Sequence, residues 1–201
     1  MIQTFAEFLV LLSPFALFLY LRPVMQELSN RDFIKVLVKA TIISFVIFFV
    51  FLATGDFVFN QILNINFESF RIFGGIIIFS IAYLFIMKGQ KAFFQLKGSL
   101  DNLAAEIALP FLVGAATISL TILMGNRFST LIGTLLLILI LSVNFFVILF
   151  LKYLRSLIEK KKLKVAFDKN LEILLRLNGF FIGAIGINMI IRGLNELFLF
   201  H

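Results

Sequence analysis

Long stretches without a single charge constrain this chain more than any other feature. Residues 40–55, 72–87, 107–126, 128–151 and 177–191 hold no Asp, Glu, Lys or Arg, and 8–21 adds a sixth run. A backbone in hydrocarbon has no water to bond, so such runs must close their hydrogen bonds internally and become helices. Several fall below the ~20 residues that span a bilayer, so the flanking Lys39, Arg71, Lys88, Arg176 and Arg192 are expected to snorkel toward the interface. At 61% hydrophobic residues and a mean hydropathy of +1.08, the chain lacks the polar groups to cover a soluble globule. The pattern predicts an all-α membrane protein in a lipid bilayer. Six transmembrane helices are expected at about 4–22, 33–54, 70–88, 106–124, 129–152 and 174–198. Ser29 or Asn30 is placed to cap the second, and Asp101 or Asn102 the fourth. The stretch 56–69 reads as an outer loop and 89–100 as the connector between halves, with Gly98-Ser99 its natural break.

The first three segments and the last three carry the same short signatures. Pro14 interrupts the first and Pro110 the fourth. Arg71-Ile72-Phe73-Gly74 opens the third and Arg176-Leu177-Asn178-Gly179 the sixth, which end in Lys88-Gly89 and Arg192-Gly193. A unit with an odd number of spans, repeated once, sits upside down the second time. Two inverted units with interrupted helices at matching places are the mark of a secondary transporter. The chain therefore reads as one integral membrane domain, 1–201, made of two inverted three-helix repeats of about 1–97 and 98–201.

The net charge of +7 does not point to nucleic acid, because 15 of the 18 Lys and Arg fall in the loops after the first, third and fifth segments or beside them. Only Arg71, Arg127 and Arg192 fall on the other side. The positive-inside rule then predicts a multi-pass protein of the cell's inner, cytoplasmic membrane with both termini outside. The basic loop from Glu159 to Lys164 is expected to face an anionic leaflet. No basic residue precedes the first apolar run and Glu7 lies within its start, so this run is expected to stay as a helix rather than be cleaved.

With no cysteine and one histidine, His201, disulfides, thiol chemistry and His or Cys metal sites are excluded. No cofactor is implied. A Ser/His pair, a zinc motif and paired aspartates are all missing, so an enzyme is not expected. Candidate chemistry sits at the interruptions. Pro14 breaks a helix and frees a backbone carbonyl that Ser13, a neighbour or water must satisfy. Pro110 does the same ahead of Gly114 and Thr117. Each proline by itself reads as readily as a packing kink. Asn144 and Asn188 are the most polar side chains deep in their runs, and read either as interhelical glue or as lining of a solute path. The expected path comprises Ser13, Pro14, Pro110, Gly114, Thr117, Asn144 and Asn188, with the two prolines facing each other across a central cavity. Gly74, Gly75, Gly179, Gly183 and Gly186 read as small-residue packing faces, within the bundle or in a homo-oligomer. No carboxylate lies mid-helix to carry a proton, while carbonyls of broken helices leave sodium coordination open.

These residues carry a resemblance over essentially the whole chain. Phe70-Arg71-Ile72-Phe73-Gly74-Gly75 is similar to the R-I-x-G-G of the MarC family of integral membrane proteins. Arg176-Leu177-Asn178-Gly179-Phe180, with Gly186 and Gly193, is similar to that family's R-L-x-G-F helix. Pro110, Gly114 and Thr117 fit its P-x-x-x-G-P-G-x-I element, and Ser13-Pro14 stands where it usually has Asn-Pro. Ala115-Ala116 replace the usual Pro-Gly, so with Ser13 in place of asparagine both interruptions are less polar and less irregular here, and Asn188 stands where Gln is common. The resemblance implies six helices and a place in the wider LysE-like group of exporters. The function expected is small-solute transport with a site between the first and fourth helices. The alternative is a non-transporting membrane protein that assembles with a partner through its glycine faces and basic loop.

Overall fold

A computed structural model describes residues 1–62, 64–89, 100–158 and 160–199. The Gly98-Ser99 break and His201 lie outside the described residues, as do the side chains of Asp101, Asn102, Glu106 and Pro110. Every regular element among the described residues is helical. They run α1 (Ile2–Leu12), α2 (Pro14–Tyr20), α3 (Arg22–Glu27), α4 (Asn30–Phe57), α5 (Phe67–Lys88), α6 (Leu100–Ile107), α7 (Ala115–Arg127), α8 (Thr130–Leu157) and α9 (Lys161–Leu199). One π-helical turn, Val58–Ile62, extends α4, and another, Ala108–Leu112, extends α6. This is an integral, multi-pass membrane protein.

The second and fifth predicted helices become twins. α4 and α8 are 28 residues each, and each is capped by a serine one hundred positions apart: Ser29 accepts from the Asp32 N–H at 3.2 Å, and Ser129 from the Ile132 N–H at 3.5 Å. α5 starts where Asn66 accepts from the Glu68 N–H at 2.9 Å. Of the two residues placed to cap the second helix, Ser29 is the cap and Asn30 the first helical residue. Asp101 and Asn102 lie inside α6 rather than before it.

Three elements differ from expectation. The first predicted helix is divided at Ser13 and again at Leu21 into α1, α2 and α3. The fourth is divided by the extended backbone of Leu109 (φ −116°, ψ 121°) and by Val113-Gly114, leaving pieces of 8 and 13 residues. Five helical stretches of the described residues are long and apolar enough to cross a membrane: Ile2–Tyr20 through its break, Asn30–Gly55, Phe67–Lys88, Thr130–Leu157 and Lys162–Phe198. The fourth segment is not among them because of its interruptions. The sixth begins thirteen residues before its predicted start, making α9 39 residues long. At 1.5 Å per residue it reaches about 58 Å, roughly twice the hydrocarbon thickness, so its lysine-rich first turns extend beyond the apolar layer. Phe167, Leu171 and Leu175, spaced four apart, hold those turns against Ala16, Phe18, Leu19 and Leu151. Asp168 locks the arrangement by receiving Arg155 through two bonds of 2.9 and 3.2 Å and Arg22 at 3.2 Å.

α5 and α9 form the tightest seam of the bundle and run antiparallel. Gly193 lies beside Glu68 and Ile72, Gly186 beside Gly75 and Phe79, and Gly179 beside Ala82 and Ile86. A methyl group on Gly75 would sit 2.6 Å from the Gly186 carbonyl oxygen, and one on Gly186 2.9 Å from that of Gly75. Gly183 is looser, with only the Ala82 methyl at 3.4 Å. Gly74 faces elsewhere: a methyl there would meet the Ala115 carbonyl oxygen of α7 at 3.3 Å. Gly125 on α7 likewise touches the Leu52 carbonyl of α4.

Gly75→Ala should therefore destabilise the purified protein by ~1–3 kcal/mol, the usual cost of overpacking. Gly183→Ala should leave it near the parent value. Thermal unfolding in detergent checks the pair, and equal melting temperatures for the two variants would contradict this seam.

Candidate functional site

Proline at position 14 has no N–H, so the Val10 carbonyl loses its partner four residues on. Ser13 turns the chain there, at φ 44° and ψ 70°, a left-handed conformation that costs a non-glycine residue ~1–3 kcal/mol. The flanking turns stay bonded: the Ser13 N–H donates to the Leu9 oxygen and the Leu17 N–H to the Ser13 oxygen, both at 3.0 Å. The orphaned carbonyl is rescued from another helix. Asn178 of α9 donates its Nδ2 to the Val10 oxygen at 3.1 Å and to the Ser13 Oγ at 2.8 Å. Ser13 is 3% exposed, so this amide stands in for water that does not reach the break.

The second break is closed from within its own helix. Leu109 takes the extended backbone that a following proline favours, and the Val113 N–H reaches back five residues to the Ala108 oxygen at 2.8 Å. Gly114 then starts α7. Its N–H donates to Thr117 Oγ1 at 2.9 Å, while that hydroxyl has the Leu112 and Gly114 carbonyl oxygens as acceptors, each at 3.0 Å. One side chain thus partners a backbone donor and the freed carbonyls together.

A cavity of about 190 Å³ lies between the two breaks. Ser13 and Ala16 form one wall and Gly114 to Thr117 another. Ile77, Ile78 and Ile81 of α5 and Ile182 of α9 close it. Ser13, Gly114 and Thr117 are brought together here around one cavity. Three other expected path residues, Pro14, Asn144 and Asn188, are placed differently. Pro14 opens α2 behind Ser13 and contributes nothing to the wall. Pro110 directly follows the extended Leu109, four residues before Gly114; its side chain lies outside those described. Asn144 belongs to α8, which supplies no wall residue; it is 3% exposed, and its Oδ1 has no partner. Asn188 is six residues beyond Ile182, about 9 Å along α9 at 1.5 Å per residue, which carries it past the cavity.

Asn188 lines instead a second, smaller cavity of about 30 Å³ with Glu7, Arg71 and Arg192. Arg71 is 3% exposed, pairs with Glu68 at 2.8 Å and lies 3.8 Å from Glu196, and leaves its buried Nε without a partner. Glu7 accepts from Gln3 at 2.9 Å. Leu11 is the side chain shared by both cavity walls among the described residues.

A family model described as MarC family integral membrane protein matches residues 1–198. The chain belongs to the MarC family. Among its relatives, a UPF0056 membrane protein of Aquifex aeolicus is 24% identical over 203 residues, covering 98% of this chain and 92% of that protein. A UPF0056 membrane protein of Pyrococcus horikoshii is 25% identical over 189 residues, covering 92% and 88%. No solved structure matches the chain. In this MarC protein the residue that motif reading passed over is Asn178. It was visible inside Arg176-Leu177-Asn178-Gly179 as an amide in an apolar helix, but its target on α1 lies 168 positions away in sequence.

Asn178→Ala should cost ~1–3 kcal/mol, because it strands a buried carbonyl. Pro14→Ala restores an N–H for that carbonyl, so adding Asn178→Ala to it should cost much less. A double-mutant cycle by thermal unfolding measures the coupling, and additive losses would show that Asn178 does not serve the break.

Proposed function

We propose that this MarC protein is a small-solute transporter whose site is the cavity between the two interrupted helices. The observation that carries the reading is that both interruptions, one around Ser13 and one around Gly114, border the same space. Irregular backbone at membrane depth is tolerated where it is buried in protein or lines a cavity, and discontinuous helices facing one cavity are the recurrent construction of carrier sites. The small cavity with Glu7, Arg71 and Arg192 lies on the way outward, with Leu11 as the partition.

The finer architecture belongs to the same reading. Six crossings as two inverted repeats are supported by the twin 28-residue helices α4 and α8 with their serine caps, and by matching breaks before α2 and α7. In this pairing Ser13 corresponds to Gly114 and Pro14 to Ala115, and the interrupted segment 100–127 is the fourth crossing. The 15-to-3 division of Lys and Arg supports both termini outside the cytoplasmic membrane. The competing reading, assembly with a partner through the glycine faces and the basic loop, is less favoured at the glycines, because Gly75 and Gly186 face each other inside one chain.

Two measurements test the proposal. In intact cells, a cysteine introduced at Lys164 should resist an impermeant thiol reagent while one at Asn64 reacts; the reverse pattern would overturn the orientation. In liposomes, Gly114→Leu should fold and lose flux of a solute found by a stability screen. In such a screen a ligand at about 100 times its Kd adds ~2.7 kcal/mol. Flux at the parent rate in Gly114→Leu would refute the central site.

A further inference from the structure

Among the described residues, none with a charged side chain lines the central cavity. The sixteen described residues of its lining are Leu, Ile, Ala, Phe and Gly apart from Ser13 and Thr117. Its wall includes Ile81, well down the apolar length of α5 and 40% exposed on the bundle's outer surface, so it borders lipid tails and not water. In such surroundings an ionised group without a counter-charge is strongly disfavoured.

The polar groups that remain are arranged to donate. Ser13 Oγ accepts from Asn178 and keeps its own proton. Thr117 has its proton shared between two carbonyl oxygens 3.0 Å away, so it offers nothing further to an acceptor. The first turn of α7 brings backbone N–H groups that have no partner within the helix. A solute therefore meets donors at the breaks and aliphatic walls elsewhere.

We propose that this site, on the transporter reading above, takes an uncharged solute with a compact apolar body and a hydrogen-bond acceptor at one end. A cavity of about 150 Å³ holds benzene, so about 190 Å³ takes a body of that size with two or three further atoms. The acceptor lies against Ser13 and the start of α7, and the body lies among Ala16, Ile78 and Ile182.

Isosteric probes decide the matter. The full-length protein in lipid nanodiscs is titrated with acetophenone and toluene as neutral probes, with benzoate and benzylammonium as charged ones, and with leucine as a zwitterion of similar size. Binding is read as a saturable rise in melting temperature. Ala16→Phe, which fills the cavity, separates site binding from partition into lipid, and Ala116→Leu serves if that variant does not fold. Acetophenone should bind about tenfold or more tightly than benzoate, benzylammonium or leucine, in line with the cost of burying charge. It should also exceed toluene, and Ser13→Ala should remove that last difference while toluene binding persists, which a merely structural role for Ser13 would not produce. Tighter binding of any charged or zwitterionic probe overturns the solute class and leaves the transporter reading intact. So does a failure of acetophenone to respond to either filling variant, since flux through Gly114→Leu is judged separately. Flux at the parent rate in Gly114→Leu, with acetophenone binding to the parent protein lost in the filling variants, sinks transport and keeps the site.

Discussion

One carbonyl oxygen governs the architecture. Pro14 strips Val10 of its helical partner within an apolar span, where an unsatisfied backbone group in lipid costs several kcal/mol. The Asn178 amide supplies the missing bond at 3.1 Å and holds Ser13 Oγ at 2.8 Å. Because the donor sits on α9, the first break persists only while α9 keeps its depth and rotation. The second break is different in kind. Thr117 closes it from within its own helix, so it needs no neighbour to hold its shape.

The α5–α9 seam meets that demand. Gly179 follows Asn178 directly and rests near the Ala82 carbonyl of α5, while Gly75 and Gly186 bring the two backbones into contact. With a side chain at either position the helices would separate, and the amide of Asn178 would retreat from Val10. Gly74, next to Gly75, lets α5 approach the Ala115 carbonyl at the second break. The two Arg-x-x-Gly openings thus set the distance to one break each: the α9 motif through Asn178 and Gly179, the α5 motif through Gly74. At one end of the bundle Asp168 ties α3, α8 and α9 through Arg22 and Arg155, and at the other Arg71 holds Glu68. These ion pairs lie at the ends of α9 and α5, two of the helices that line the cavity.

Much of this was legible in the chain. Uninterrupted apolar length predicts α4, α5 and α8, because a helix in lipid satisfies its own backbone and needs no partner to be specified. Ser29 is readable as a cap, and the interruptions are readable from proline and glycine, since lost N–H groups and freed φ angles are local properties. Ser13, Gly114 and Thr117, three residues at or beside those interruptions, all line the cavity. Family membership is likewise carried by residues in sequence order, as Arg71-Ile72-Phe73-Gly74-Gly75 and Arg176-Leu177-Asn178-Gly179 illustrate.

What the tertiary structure decided are relations between helices. The α9 run from 177 to 191 has apolar residues on every side, so its sequence does not say which face meets α1, and neither the role of Asn178 nor the departure of Asn188 from the cavity can be read from it. The extension of α9 back to Lys161 depends on Leu171 and Leu175 finding Phe18 and Leu151, contacts that exist only once α2 and α8 are in place. Pro14 and Pro110 look equivalent as residues, yet Pro14 follows a single left-handed residue, whereas the segment of Pro110 leaves the helix twice, at Leu109 directly before it and again at Val113-Gly114. Sequence by itself determined where the backbone must be helical and where it cannot be, since those are costs each segment meets alone. Only packing decided which groups repair the breaks and what space is left between them, because those costs are met across helices.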